Sequence, residues 1–165
     1  MHIRIANSDD AEAIATAERE TATTPGLLVA RPGEIPLQAY RDKLNKLAEH
    51  GRYIMAEDAD AIIGHAMLDP MPMSANAHVF LLTIVVHPGH LGQGIGKAML
   101  QDLLEWAQSD PRVAKVELNV RAGNLRAQAL YRRFGFVEEA RFRGRVQRSD
   151  GVIEDDLGMA WFPDH

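Results

Sequence analysis

The chain has 165 residues, a formal net charge of −5 and no cysteine. That length suits one domain with a proper core, and an acidic balance without a basic run leaves no electrostatic footprint for nucleic acid. The missing cysteines rule out disulfides and a Cys acyl-enzyme, and neither a leader-like start nor an apolar stretch of bilayer length is present, so a cytoplasmic protein without membrane contact is expected.

His2–Ala6 alternates apolar residues at Ile3 and Ile5 and reads as a first strand. Asn7-Ser8-Asp9-Asp10 supplies caps for a helix over Ala11–Glu20. Thr21–Pro36 carries prolines at 25, 32 and 36 and reads as a long loop, either the rim of a substrate site or a surface connection. Leu37–His50 reads as a second helix with Tyr40, Leu44 and Leu47 on one stripe and Gly51 as its stop. Arg52–Glu57 and Ala61–Leu68 form a hairpin around Asp58-Ala59-Asp60, and Gly64 marks a bulge or a close approach.

Val79–Val86 is an uninterrupted apolar run rich in β-branched residues, which is how a strand buried on both faces reads. His87-Pro88-Gly89 ends it. Gly92, Gly94 and Gly96 alternate through a loop, and a helix follows to about Ser109 with Ile95, Met99, Leu103 and Trp106 on its apolar stripe. Val113–Val120 alternates, with Val116, Leu118 and Val120 facing one way and Glu117 and Asn119 the other. Asn124 is a natural N-cap and Gly135 a natural terminator for the next helix, on which Asn124, Ala127 and Tyr131 share a face. Val137–Arg148 and Val152–Trp161 close the chain as strands around Asp150-Gly151. The order β-α-α-β-β-β-α-β-α-β-β predicts an α/β (α+β) fold, one mixed sheet with helices on both sides.

Strand, glycine loop and helix start present free backbone N–H groups and the positive end of a helix dipole to an anion, so a phosphate-bearing cofactor is expected. A P-loop is excluded because Ala98 follows Gly96-Lys97, and a dinucleotide fingerprint because Lys97 takes the third glycine position. Val86-His87-Pro88 followed by Gly92-Gln93-Gly94-Ile95-Gly96-Lys97 instead resembles the acyl-CoA loop of the GNAT N-acetyltransferase superfamily. Leu91 departs from the pattern, standing where Arg or Gln is usual. A second block, Asn124-Leu125-Arg126-Ala127-Gln128-Ala129-Leu130-Tyr131-Arg132-Arg133-Phe134-Gly135-Phe136, is similar to the family's N-x-x-A-x-x-L-Y-x-x-x-G-F at every fixed position.

The resemblance implies a mostly antiparallel central sheet of the GNAT acyl-CoA N-acyltransferase fold over the single domain 1–165. It also implies acetyl-CoA as donor cosubstrate and direct attack by a primary amine in a ternary complex. The main chain of Ile84, Val85 and Val86 would pair with the pantetheine arm. The backbone amides of Leu91, Gly92, Gln93, Gly94, Ile95, Gly96 and Lys97 would hold the pyrophosphate. Asn124 would hydrogen-bond the pantetheine or phosphate region, with Ala127 on the same face, and Tyr131 would protonate the departing thiolate.

A general base is less legible, since Val79–Val86 contains no glutamate. His78 at the strand's start and Glu117 on the next strand are the leading candidates, with Asp155 and Asp156 behind them. His87 and His90 do not suggest a metal site. Arg132, Arg133, Arg141, Arg143, Arg145 and Arg148 read as a solvated basic face, or as contacts to the cofactor's 3′-phosphate or to an anionic part of a substrate. The expected acceptor is a small-molecule amine. The alternatives are a protein or peptide N-terminus, or a non-catalytic acyl-CoA-binding sensor or interaction module. A homodimer is left open by the late hairpin's free edge.

Overall fold

The computed structural model describes residues 1–165, which form a seven-stranded sheet with two helices on each face. In chain order the elements are β1 (His2–Ile5), α1 (Ala11–Ala22), α2 (Leu37–His50), β2 (Arg52–Asp58), β3 (Ala61–Pro70), β4 (Val79–Val86), α3 (Ile95–Ser109), β5 (Lys115–Arg121), α4 (Leu125–Arg133), β6 (Val137–Gln147) and β7 (Ile153–Trp161). Single 3-10 turns occupy Ser8–Asp10, Pro32–Glu34 and Ser74–Asn76. The sheet order is β1-β2-β3-β4-β5-β7-β6, and every pairing is antiparallel except β4 with β5.

Alternation along β2 assigns the two layers. Ile54 and Ala56 enter the larger core with Met99, Leu100 and Leu103 of α3, while Tyr53 and Met55 enter the smaller one with Ile14 of α1 and with Leu44 and Leu47 of α2. α1 is tied in at its start by an Asn7–Asp10 capping box. It runs to Ala22, two residues past the expected Glu20, so the loop that follows is shorter than the sequence suggested.

The element order, α2, and the two hairpins stand where the sequence placed them, with strand ends shifted by one or two residues. The exception in kind is β4. It was expected to be buried on both faces, yet Leu81 is 41 % exposed and Thr83, Ile84 and Val86 are half-buried. The cause is the β4–β5 ladder, which pairs only Val79 with Lys115, Phe80 with Val116 and Leu81 with Glu117. Beyond Leu81 the two strands part, and the lower half of an apolar strand faces open space.

Gly64 meets both of its sequence readings. The register between β2 and β3 shifts beside it, with Ala56 opposite Gly64 and Glu57 opposite Ile62, so Ile63 is the extra residue of a bulge. A Cβ on Gly64 would also lie 2.8 Å from Val85 O and 3.0 Å from Met99 Cε. Gly64→Ala is therefore expected to cost about 1–3 kcal/mol in urea unfolding. Gly33→Ala, where a Cβ meets nothing within 4 Å, should stay within about 0.5 kcal/mol of the parent.

Candidate active site

The parting of β4 and β5 creates two cavities. The first, of about 610 Å³, runs between the end of β4, the glycine loop and α4. Ile84, Val85 and Val86 line it, as do Leu91, Gly92, Gly94, Ile95, Gly96, Lys97, Asn124, Ala127 and Tyr131. Gln93 alone among the expected loop residues does not; its Nε2 donates to Gly89 O at 3.1 Å and braces the turn.

Gly94 is the N-cap of α3, in the left-handed region at φ 81°, and no side chain caps the helix. The first intrahelical bond runs from Ala98 N–H to Gly94 C=O, so the N–H groups of Ile95, Gly96 and Lys97 have no partner in the helix. A Cβ on Gly94 would meet nothing within 4 Å. The lip of this cleft is thus a set of free donors at the positive end of a helix.

Lys97, Arg126 and Arg133 line the same cavity, no aspartate or glutamate does, and none of the three joins an ion pair of the fold. The guanidinium of Arg126 sits against the loop, both Nη atoms 3.3 Å from where a Gly92 Cβ would stand. The cleft fits an elongated ligand with several negative charges. Arg126 and Arg133 are seven residues apart and bracket Ala129 and Leu130 of the lining, so helical periodicity on α4 was the available signal for them. Thr21, Leu27 and His90 join the lining from segments that carry no such signal. Asn124 has a double use, because its Oδ1 accepts from Ala127 N–H at 3.1 Å as the α4 cap, leaving its amide NH₂ for the cleft.

The second cavity, of about 590 Å³, opens on the other side of the gap. Thr83, Glu117, Asn119, Glu139, Phe142 and Met159 are among its walls, and Val29 reaches it from the loop after α1. Tyr131 and Ile84 line both cavities. Burial pushes the Tyr131 phenol up to about 12, so it stays protonated at neutral pH.

Of the base candidates, only Glu117 lines this second cavity, and Lys115 Nζ donates to it at 2.6 Å. His78 does not come near. It lines a separate cavity with Lys46, His50 and Arg112, at the opposite end of β4 from Ile84 and roughly 20 Å away by strand rise. Asp155 is held by Arg141 and by Gly144 N–H, and Asp156 is buried beside Arg121; neither lines either cavity. The late arginines divide: Arg133 lines the cleft, Arg132 pairs with Glu138, Arg141 with Asp155 and Arg148 with Asp150.

The model of the acetyltransferase (GNAT) family matches residues 14–136, which contain the glycine loop, β5 and α4. The chain belongs to this family. Among curated proteins it is similar to the N-alpha-acetyltransferase RimI of Mycobacterium tuberculosis, 33 % identical over 103 residues that cover 62 % of each chain. It is also similar to the ribosomal protein bS18 alanine N-acetyltransferase of Escherichia coli K12, 39 % identical over 80 residues, 48 % of this chain and 53 % of that one. The chain thus spans between half and two thirds of the length of these two relatives. Among solved structures, a phosphinothricin acetyltransferase from Sinorhizobium meliloti in complex with acetyl-CoA shares the GNAT fold, with a TM-score of 0.87 at 19 % identity over 98 % of this chain and 88 % of that one.

Behind the GNAT cleft lies a buried polar chain that no motif announced. Tyr40 of α2 donates to Glu18 of α1, and Glu18 Oε2 lies 3.6 Å from His65 Nε2 on β3. His65 Nδ1 is 2.9 Å from the Tyr53 hydroxyl, and its ring packs 5.4 Å from that of His87. His87 Nδ1 is 2.6 Å from Thr21 Oγ1 at the end of α1. Since the Thr21 hydroxyl spends its hydrogen on Ala17 O at 2.8 Å, His87 is read as the donor, with its proton on Nδ1.

Burial pushes His65 down to about 3 and His87 down to about 4, so both are neutral in the fold. The unfolded chain protonates them near the ordinary value of about 6.5 and therefore binds more protons than the fold below that pH. Stability is fully present above about pH 6.5 and should fall as the pH drops toward 5, before most carboxylates titrate. Urea midpoints across that window are expected to show up to about two protons taken up on unfolding, and His87→Gln should remove about one of them.

Proposed function

We propose that the chain is a single acetyl-CoA-dependent N-acetyltransferase domain, acting in the cytoplasm on the primary amine of a small molecule. The observation that carries this reading is the position of Tyr131, whose side chain lines both the polycationic cleft and the second cavity. Acetyl-CoA supplies the acetyl thioester that the acceptor amine attacks directly. The free N–H groups of Ile95, Gly96 and Lys97 and the side chains of Lys97, Arg126 and Arg133 suit its phosphates. The main chain of Ile84, Val85 and Val86 on β4 suits its amide-bearing arm, because their side toward β5 has lost its strand partner.

The roles of the chain's own groups follow from their states. The Tyr131 hydroxyl, protonated at neutral pH, gives its proton to the leaving sulfur and regains one from the nitrogen that has become the amide, so the phenol is restored. Glu117 accepts the proton that the acceptor ammonium must shed, directly or through a water. Lys115, bonded to both Glu117 and Glu139, fixes the orientation of the two carboxylates. A non-catalytic binding module would have no need of a second cavity opening onto the same phenol.

Isothermal titration with acetyl-CoA tests the cleft. The parent should bind in the micromolar range, and Gly94→Glu, which sets a carboxylate among the free N–H groups, should abolish binding. Tyr131→Phe should keep that binding and lower kcat by about 10²–10⁴ in a thiol-release assay with an amine acceptor. Unchanged kcat in Tyr131→Phe would remove the phenol from the mechanism.

A further inference from the structure

Resting on that reading, we infer that the acceptor is a primary amine with no carboxylate beside it, so that the enzyme rejects free amino acids and accepts their carboxamides or simple amines. The two cavities carry opposite charge. The donor cleft has three unpaired cations and no acid, whereas the charged residues lining the second cavity are Glu117 and Glu139, with no cation among them. A free α-amino acid brings its carboxylate within two bonds of the reacting nitrogen. In this cavity that carboxylate would meet two others and no cation among the lining residues.

The acidic character is built into the strands. Glu138 opposes Met159 and Ala140 opposes Gly158, which leaves Glu139 as the extra residue of a bulge. Regular alternation would send Glu139 to the face opposite Ala140; with the bulge, both line the cavity. The nearest cation is already engaged. Lys115 Nζ lies 2.6 Å from a Glu117 oxygen and 2.7 Å from a Glu139 oxygen, leaving the three groups with one net negative charge. Arg145 stacks on Phe142, 4.3 Å from the ring centroid, and does not line the cavity. An ammonium is therefore welcome there and an added carboxylate is not.

Amines of this kind come from peptide N-termini or from free amines, and the test separates the two. Steady-state acetylation would be measured with L-alanine, L-alaninamide, the amide of trialanine and butane-1,4-diamine, with acetyl-CoA binding followed by titration in parallel. Referred to the free-amine fraction of each substrate, because alaninamide is the weaker base, alaninamide is expected to exceed alanine in kcat/KM by at least about 100-fold, an effect of the size of like-charge rejection at an interface. Preference for the trialanine amide assigns a peptide terminus and overturns the small-molecule acceptor, and preference for the diamine assigns a free amine; either agrees with the absence of a carboxylate beside the reacting nitrogen. Alanine within about tenfold of alaninamide overturns it while leaving the transferase reading intact. Acetyl-CoA binding without turnover of any amine overturns both. Glu139→Gln should narrow the alanine–alaninamide gap, and a gap unchanged in that variant would deny Glu139 its part.

Discussion

The end of the β4–β5 ladder at Leu81 and Glu117 is the constraint from which the rest of the molecule follows. β4 stays paired to β3 from Pro70 to Gly64, and β5 to β7 from Val116 to Arg121, so each strand is secured on its outer side. On their inner sides the backbone groups of Leu82–Val86 and Leu118–Arg121 have lost the partner that a continuous sheet would give them. Such groups must be satisfied by solvent or ligand, and a groove lined with them is a template for an extended, amide-bearing molecule. Gly96 of α3 packs beside Val86 and Ile84 on the open side of β4, where a Cβ would make an ordinary 3.6 Å contact with Val86 Cγ2. Tyr131, set on α4 against Phe136, then stands across the opening.

Holding the α1–α2 layer is a separate problem, and the polar chain from Tyr40 to Thr21 answers it. α1 and α2 pack on a core of seven buried residues, against twenty on the other face. The smaller layer is supplemented by three hydrogen bonds, Tyr40 to Glu18, between Tyr53 and His65, and between His87 and Thr21, which are strong in a low dielectric and costly when broken singly. His87 belongs both to this network and to the first residue after β4, so the end of α1 and the start of the glycine loop are fastened at one point. The segment leaving α1 then sends Leu27 to one cavity and Val29 to the other.

The parts written locally in the sequence were the legible ones. The apolar run, the alternating glycines and the Asn124–Phe136 block each specify their own geometry within a few residues, and nearly all of the expected cleft residues do line one cavity. The second cavity was illegible for a physical reason. Its walls come from Val29, Thr83, Glu117, Glu139 and Met159, brought together by a parted ladder and by a bulge, neither of which leaves a periodic trace. Leu81 misled for the same reason, since an apolar strand facing a cavity reads like one facing a core. His78 failed through direction. In a parallel pair the ligand site forms beyond the carboxyl ends of the strands, and His78 precedes the amino end of β4.

Whole-chain charge was the least informative number of all. A net −5 spoke only against nucleic acid, yet it conceals a separation of sign across one strand gap. Three unpaired cations sit on the glycine-loop side, and two carboxylates bridged by one lysine on the other. In clefts with low-dielectric walls such local fields outweigh the distant surface charge, which salt screens within about 10 Å. A polyanion and an ammonium are thereby drawn to opposite mouths of the same opening. The only side chains they would both touch are Ile84 and Tyr131, one of them inert and the other a phenol that keeps its proton.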